Sequence, residues 1–592
     1  MIPFSVSSTD DAPWWQNTIV YQVYPRSFQD SDGNGVGDLR GLISRLDYFD
    51  YINVKTLWLS PIYQSPMVDF GYDVLNHTQI DPIFGTMSDF DELLRKMHEK
   101  GMKLILDFIP NHTSDKHLWF VESRKVNSTD NPFRDFYVWH DGRRDENGNR
   151  IPPNNWLSYF GGLAWEWDES RQQFYLHQFA KEQPDLNFRN PLVRRSQENV
   201  LRFWLDKGVD GFRVDAVLAL FEDIHLRDEP RSFNPLHIRE DDHYYLKHVY
   251  TQHQPEIHEV IAEWRTLLDS YSKTDGHPRF MVTEAYADDI NEIIKYYHSG
   301  ADMPFNFDLI YANDTCDGYC MRKTINNFLR NVPDGKWSNF VTGNHDRSRV
   351  SARFGEAYVD ALNTLLLLLP GTPTTYYGEE LGMEEVFVTF DETQDPQGKY
   401  FGKVYKQFSR DPVRSPMQWS SERNGGFSTA SKTWLPVHPN YVIKNVQVEM
   451  ERPFSHLNWY RNVSKLRMDV HFRRGTMKYS FVSKDILSFI RQADNDKAYL
   501  VGINLGKNMV NVDFCNICKP KDQSNAEFCD ASGEGETRKA ASTYGELRDS
   551  SAECGTGEIT LTNSPSFIIG QKVPLNYISL SPGTSVIIQL VL

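Results

Sequence analysis

The 592-residue sequence predicts an α/β fold: a (β/α)8 TIM barrel with a B domain inserted after strand 3 and a C-terminal antiparallel β domain. Three observations predict it. Eight short β-branched runs alternate with amphipathic stretches, the third and fourth runs lie unusually far apart, and the rhythm changes near residue 486.

The runs are Ile19 to Pro25, Thr56 to Ile62, Lys103 to Ile109, Gly211 to Val217, Phe280 to Ala285, Met303 to Asp308, Asn339 to His345 and Thr372 to Glu380. Helical patterns separate them. In Ser88 to Lys100, Phe90, Leu93, Leu94 and Met97 recur at i, i+3, i+4 and i+7, the spacing of one buried helix face, and Val193 to Lys207 is a second example. About 100 residues separate the third run from the fourth, and Phe133 to Asn187 is rich in Trp, Tyr, Asn, Gly and Pro. That excess predicts a small domain over one barrel rim, residues 111–187, leaving 1–110 and 188–485 for the barrel. From Ile486 onward, Ile486 to Arg491, Ala498 to Asn504, Val510 to Phe514 and Thr584 to Leu592 read as strands without helices between them. They predict a β domain over 486–592, with Lys519 to Glu558 as a long loop.

Apolar residues make up 40% of the chain and aromatic ones 13%, enough for a large core and for aromatic platforms. A net charge of −17 excludes a polyanionic partner such as nucleic acid, which needs clustered Lys and Arg. No transmembrane segment is expected, because the most apolar run, Leu365 to Leu369, is short and ends at Pro370-Gly371. Met1 to Trp15 has neither a basic nor an apolar signal region, and the chain's last residues, Val586 to Leu592, read as a strand rather than an anchor signal. Six cysteines, Cys316 with Cys320, Cys515 with Cys518, and Cys529 with Cys554, are disulfide candidates. A zinc site at Cys515 and Cys518 finds no second pair of ligands. Glycosylation sequons at Asn76, Asn127, Asn313 and Asn462 point the same way, toward a secreted or gut-surface glycoprotein. A further sequon at Asn111 falls in a functional motif and is expected to stay unmodified.

Active sites of such barrels lie at the C-terminal ends of the strands, and the polar residues of this chain collect there. The third strand runs into Asp107-Phe-Ile-Pro-Asn111-His112, the fourth into Arg213-Val-Asp215, the fifth into Thr283-Glu284 and the seventh into Asn344-His345-Asp346. Three carboxylates converging from separate strands would be costly as a purely structural feature. Glycoside hydrolysis gives them a chemical reason: one carboxyl protonates the leaving oxygen while an ionised one attacks the sugar. Asp215 and Glu284 suit these roles. Arg213, on the same face of its strand, is expected to keep Asp215 ionised, and Glu284 needs a raised pKa to hold its proton.

The strings DFIPNH, GFRVDAV, VTEAY and VTGNHD resemble the four signature regions of the α-amylase superfamily, glycoside hydrolase family 13. YQVYPRSFQDSDGNGVGDLRG, MVDFGYD, QPDLN and RDPVRSPMQW are similar to the oligo-1,6-glucosidase and maltase branch, in particular insect-type maltases. The resemblance spans nearly the whole chain and is weakest in the last hundred residues. It implies an α-glucosidase working by double displacement with retention, with Asp215 as nucleophile, Glu284 as general acid/base and Asp346 as third carboxylate. It implies that His112, Arg213 and His345 bind the glucose to be released, that Tyr72 stacks on its ring, and that Asp69 pairs with Arg414 to grip its 4-hydroxyl. A closed pocket of this kind releases single glucose units from non-reducing ends.

Asp30, Asp32, Asn34 and Asp38, with the Val36 carbonyl, place oxygen ligands at alternate positions around Gly35, as in a calcium loop. Gly41 stands where an EF-hand has its bidentate Glu, and an ordinary turn bonded to its own backbone is the other reading. The resemblance implies structural Ca²⁺ here and no organic cofactor. Ala216, directly after Asp215, is the specificity residue: family members favouring α-1,6 bonds usually carry Val there, those favouring α-1,4 bonds or sucrose Thr or Ala. The expected substrates are therefore maltose, short malto-oligosaccharides and sucrose. The alternatives are an isomaltase, a sucrose-specific hydrolase, or a glucosidase-like surface receptor or transporter heavy chain.

Overall fold

A computed structural model describes residues 12–125, 130–493, 497–515 and 555–591. All eight expected runs form parallel strands: Val20–Val23, Thr56–Leu59, Lys103–Phe108, Gly211–Val214, Phe280–Thr283, Met303–Pro304, Asn339–Val341 and Thr372–Tyr376. Their order around the sheet is sixth, fifth, fourth, third, second, first, eighth, seventh. One seam remains, between the sixth and seventh strands. The sixth strand is only two residues long and ends at Pro304, which has no N–H to offer. Side chains bridge the seam instead. The Asn306 N–H donates to Asn339 Oδ1 at 2.9 Å, and Asn339 Nδ2 donates to the Pro304 carbonyl at 2.6 Å.

The barrel is filled rather than hollow. Val20, Trp58, Ile105, Phe280, Val282, Met303 and Phe305 form an interior cluster with Trp15 below them. Helices cover the outside. Met87–Glu99 starts with a capping box in which Thr86 and Asp89 satisfy each other's backbone N–H, and it buries Phe90, Leu93, Leu94 and Met97 as the periodicity predicts. Trimming one of these, as in Leu93→Ala, costs about 2–5 kcal/mol. Pro191–Asp206 starts at an Asn190 cap with proline in its first position, and buries Val193, Val200, Leu201, Trp204 and Leu205.

The long connection after the third strand contains a small antiparallel sheet of Trp139–His140, Gln173–Leu176 and Trp165–Asp168. Its own core gathers Trp156, Ala164, Trp165, Phe174 and Leu176. The C-terminal sheet is antiparallel and six-stranded, in the order Thr476–Val482, Ile486–Gln492, Lys497–Asn504, Ser585–Val591, Thr556–Thr562, Lys572–Pro574. It begins earlier than residue 486, because Thr476–Val482 pairs in a hairpin with the first expected strand.

Cys316 and Cys320 are disulfide-bonded at the start of the helix Gly318–Leu329. Cys515 is also in a disulfide, while Cys518, Cys529 and Cys554 lie outside the described residues, as does Asn127. Asn313 and Asn462 are exposed. Asn76 is half-buried, and its Oδ1 accepts from the N–H and Oγ1 of Thr78. Among the described residues, no helix is long and apolar enough to cross a membrane.

Candidate active site

The strand ends deliver the polar residues to one place. Gly211 opens the fourth strand because a Cβ there would meet the Phe280 carbonyl at 2.6 Å, so only glycine lets the fourth and fifth strands lie this close. Arg213 pairs in register with Asp107 on one side and Val282 on the other. The backbone then turns sharply. Ala216 sits in the left-handed region at φ 45°, a position that costs a non-glycine residue about 1 kcal/mol or more, and its N–H donates to Glu284 Oε2 at 2.9 Å.

Arg213, 1% exposed, is the hub. Its Nη1 donates to Asp107 Oδ1 at 2.7 Å and to Asp215 Oδ1, while Nη2 pairs with Glu284 Oε1 at 2.7 Å. Adjacent nitrogens of one planar guanidinium thus hold the expected nucleophile and the expected acid. Three buried carboxyls around one cation cannot all be ionised cheaply. Burial, opposed by Arg213 and reinforced by neighbouring carboxylates, raises Asp107 to about 6, Asp215 to about 7 and Glu284 to about 8. Arg213 favours the ionised form of Asp215, as the pairing implies, while burial and Asp107 push the other way. The upward shift by burial suits Glu284 to hold a proton.

Asp346 is the opposite case. Burial would raise its carboxyl, but Arg414 Nη2 at 2.8 Å and Arg410 Nη1 at 3.1 Å, with His345 beside it at 3.4 Å, hold it well below the usual carboxylate range. His345 lies in a wired network. Gln22 Nε2 is 2.8 Å from its Nδ1, the Tyr72 hydroxyl is 2.7 Å from its Nε2, and that hydroxyl donates to Asp107 Oδ2 at 3.1 Å. Donation from Gln22 places the ring proton of His345 on Nε2, facing Tyr72. Burial lowers both His345 and His112 to about 3, so both are neutral rings at physiological pH.

Residues 22–475 match the family described as Alpha amylase, catalytic domain. The chain belongs to the α-amylase family, glycoside hydrolase family 13. It is 45% identical over 519 residues to Maltase 1 of Drosophila virilis, covering 86% of this chain and 81% of that one. It is also 43% identical to the amino acid transporter heavy chain SLC3A1 of Homo sapiens, over 83% of this chain and 71% of that one. Among solved structures, the α-glucosyl transfer enzyme XgtA superposes with a TM-score of 0.81 at 33% identity, covering 98% of this chain and all of the other.

In this α-amylase-family barrel, all the residues expected around the sugar come together, with one exchange of partners. Asp69 pairs not with Arg414 but with Arg410, at 2.8 Å, and Arg410 is held in turn by Asp395 at 2.7 Å. Arg414 is fully buried and turns to the His345 carbonyl and Asp346, whereas Arg410 keeps 13% of its side chain exposed. The two arginines flank the turn Asp411–Arg414, whose geometry aims the first outward and folds the second under. His112 Nε2 lies 3.1 Å from Gln183 Nε2, and Gln183 also donates to Asp69 Oδ2 at 3.3 Å. Gln22, Trp58, Gln183, Asp395 and Arg410 were not expected from the sequence. Gln22 lies in YQVYPRSFQDSDGNGVGDLRG, Gln183 in QPDLN and Arg410 in RDPVR, but their places in the site did not follow from those strings.

At the loop after the first strand, Asp30, Asp32 and Asp38 each bring an oxygen within 4.8 Å of the others. Gly35, at φ 92°, packs so closely that a Cβ would meet the Lys432 carbonyl at 2.4 Å. Many of the carboxylate oxygens also accept from nearby backbone: Asp30 from Asp32, Gly33 and Gly35, and Asp38 from Ser31 and Gly41. Three carboxylates in hard-oxygen geometry with no cationic side chain among these partners suit a divalent cation of the calcium type.

Proposed function

We propose that the protein is a retaining, exo-acting α-glucosidase that releases terminal α-1,4-linked glucose from maltose, short malto-oligosaccharides and sucrose. The observation that carries this reading is the single guanidinium of Arg213 holding both Asp215 and Glu284. Ionised Asp215 attacks the anomeric carbon while protonated Glu284 gives its proton to the departing glycosidic oxygen. Glu284, now a carboxylate, takes a proton from water, whose oxygen displaces Asp215 and restores both groups. Retention needs the two carboxyls about 5–5.5 Å apart, and partners on adjacent nitrogens of one guanidinium suit that spacing better than a gap holding a water. Asp346, Arg213, His112, His345 and Tyr72 position the sugar. Asp69, held by Arg410, supports a blind end at the 4-hydroxyl, and Ala216 supports preference for α-1,4 over α-1,6 bonds.

The similarity to Maltase 1 supports the same reading. The similarity to a transporter heavy chain favours a second one, a non-catalytic partner subunit. The complete set of three carboxylates and their arginines weighs against it, since a chain relieved of catalysis has no use for so many buried charges. The loop of Asp30, Asp32, Asn34, the Val36 carbonyl and Asp38 would hold a structural Ca²⁺, remote from the bond-breaking steps. Disulfides and the exposed Asn313 and Asn462 support a secreted glycoprotein. The direct test is proton NMR of the first glucose released from maltose. The α-anomer is expected; the β-anomer would overturn retention, and no turnover would favour the partner-subunit reading.

A further inference from the structure

One cluster beside the catalytic carboxyls remains without a role. Arg347 follows Asp346, and its guanidinium reaches across the mouth of the site to tyrosines from two other loops. It donates through Nη2 to the Tyr311 hydroxyl at 3.2 Å, lies near the Tyr244 side chain, and sits 5.0 Å from the Tyr311 ring centroid and 5.8 Å from that of Tyr286. Among the described residues no carboxylate forms an ion pair with it. A cation held by phenol hydroxyls and ring faces keeps donors available for other partners.

Each partner is fixed relative to the reacting groups. Tyr286 is two residues beyond Glu284, stacks on Phe307 at 4.2 Å, and accepts from Asn344 Nδ2 at 3.4 Å. Tyr311 closes the turn Asp308–Tyr311 after the sixth strand. Tyr244 lies in the turn His243–Tyr245, capped by Asp242. A column of rings secures that turn to the sugar pocket: His112 against Phe179 at 4.9 Å, Phe179 against Tyr159 at 4.9 Å, and Tyr159 against His243 at 3.9 Å. Tyr244 and Tyr311 are 45% and 53% exposed. The cluster therefore joins the loop after the fourth strand, which packs on the inserted domain through Tyr159, to the loop after the sixth strand, with Tyr286 two residues beyond Glu284.

We propose that Arg347, bonded to Tyr311 and set against the faces of Tyr286 and Tyr311, is a specificity determinant that roofs the leaving-group side of the pocket and admits one sugar beyond the cleaved bond while obstructing longer chains. The tyrosine faces offer stacking surface to a pyranose, and the guanidinium offers donors to its hydroxyls. The inference rests on the α-glucosidase reading and specifies its substrates: disaccharides over long malto-oligosaccharides.

The test compares kcat/KM for maltose and maltoheptaose in the wild type, Arg347→Ala, Tyr244→Ala and Tyr311→Phe. The last removes one hydroxyl, keeps the ring, and preserves the test if an alanine variant misfolds. The maltoheptaose-to-maltose ratio is expected to rise about tenfold in Arg347→Ala and by a smaller factor in Tyr311→Phe, with most of the change in KM. A ratio unchanged in every folded variant of an active wild type overturns the bridge and leaves the α-glucosidase reading standing. An inactive wild type overturns both.

Discussion

Two carboxylate clusters in this molecule solve the same electrostatic problem in opposite ways. In the loop from Asp30 to Asp38, the acidic groups accept hydrogen bonds from backbone N–H groups only a few residues away. At the barrel mouth, Asp107, Asp215, Glu284, Asp69 and Asp346 are partnered by the guanidiniums of Arg213, Arg410 and Arg414. Local amides, with the Ser428 hydroxyl on Asp30, hold these carboxylates in place without a cationic side chain. Arginines from several strands and turns hold Asp346 low, while burial shifts Glu284 up, as acid–base chemistry needs. The same chemical group becomes scaffold or reagent according to who pairs with it.

The comparison fails most visibly if Asp215 proves dispensable. Asp215→Asn is expected to lower kcat roughly 10⁴-fold or more while circular dichroism and Tm show an intact fold. Retained turnover would move the barrel cluster into the structural class. A smaller loss is expected from Arg410→Ala, which strips Asp69 of its partner. KM for maltose should rise by about 10- to 100-fold, an effect worth roughly 1.4–2.8 kcal/mol. An unchanged KM would return the gripping role to Arg414.

Protonation sharpens the contrast further. Activity requires Asp215 ionised and Glu284 protonated, so it should fall as pH drops below about 7 and as it rises above about 8. The stability sign follows from the same shift. Glu284 is raised from 4.5 to about 8 in the fold, so the folded protein binds the proton more tightly than the unfolded chain. Its contribution is complete below about pH 4.5 and is lost as pH rises toward 8. Glu284→Gln, which mimics the protonated form, should therefore raise Tm more at pH 8 than at pH 5. A Tm difference that does not vary with pH would deny the raised pKa. The smallest effect concerns the loop. Removing Ca²⁺ with a chelator should lower Tm by only a few degrees, with activity recovering on readdition. A Tm indifferent to both chelator and Ca²⁺ would reduce the loop to a self-bonded turn.

How much was legible beforehand follows from the same division. The eight strands could be read because buried parallel strands are short apolar runs, and the helix Met87–Glu99 because its buried face repeats at helical spacing. The cluster of Asp30, Asp32 and Asp38 could be read because their oxygens alternate along one short segment. Asp69 and Arg410 could not be matched, since RDPVR offers two arginines four residues apart and only the turn between them decides which faces the pocket. Gln22 lies within the string YQVYPRSFQDSDGNGVGDLRG, but its task could not be read there, because one buried amide on a strand is featureless until His345 lies against it.

The sequence by itself therefore determined the barrel, the strand that carries each catalytic carboxyl, and the acidic loop, because local periodicity and spacing encode them. Tertiary structure alone decided that Asp69 meets Arg410 and that Asp346 meets both Arg410 and Arg414. Those outcomes depend on burial and on distances between residues as much as 341 positions apart, and Coulomb interactions follow distance in space rather than along the chain.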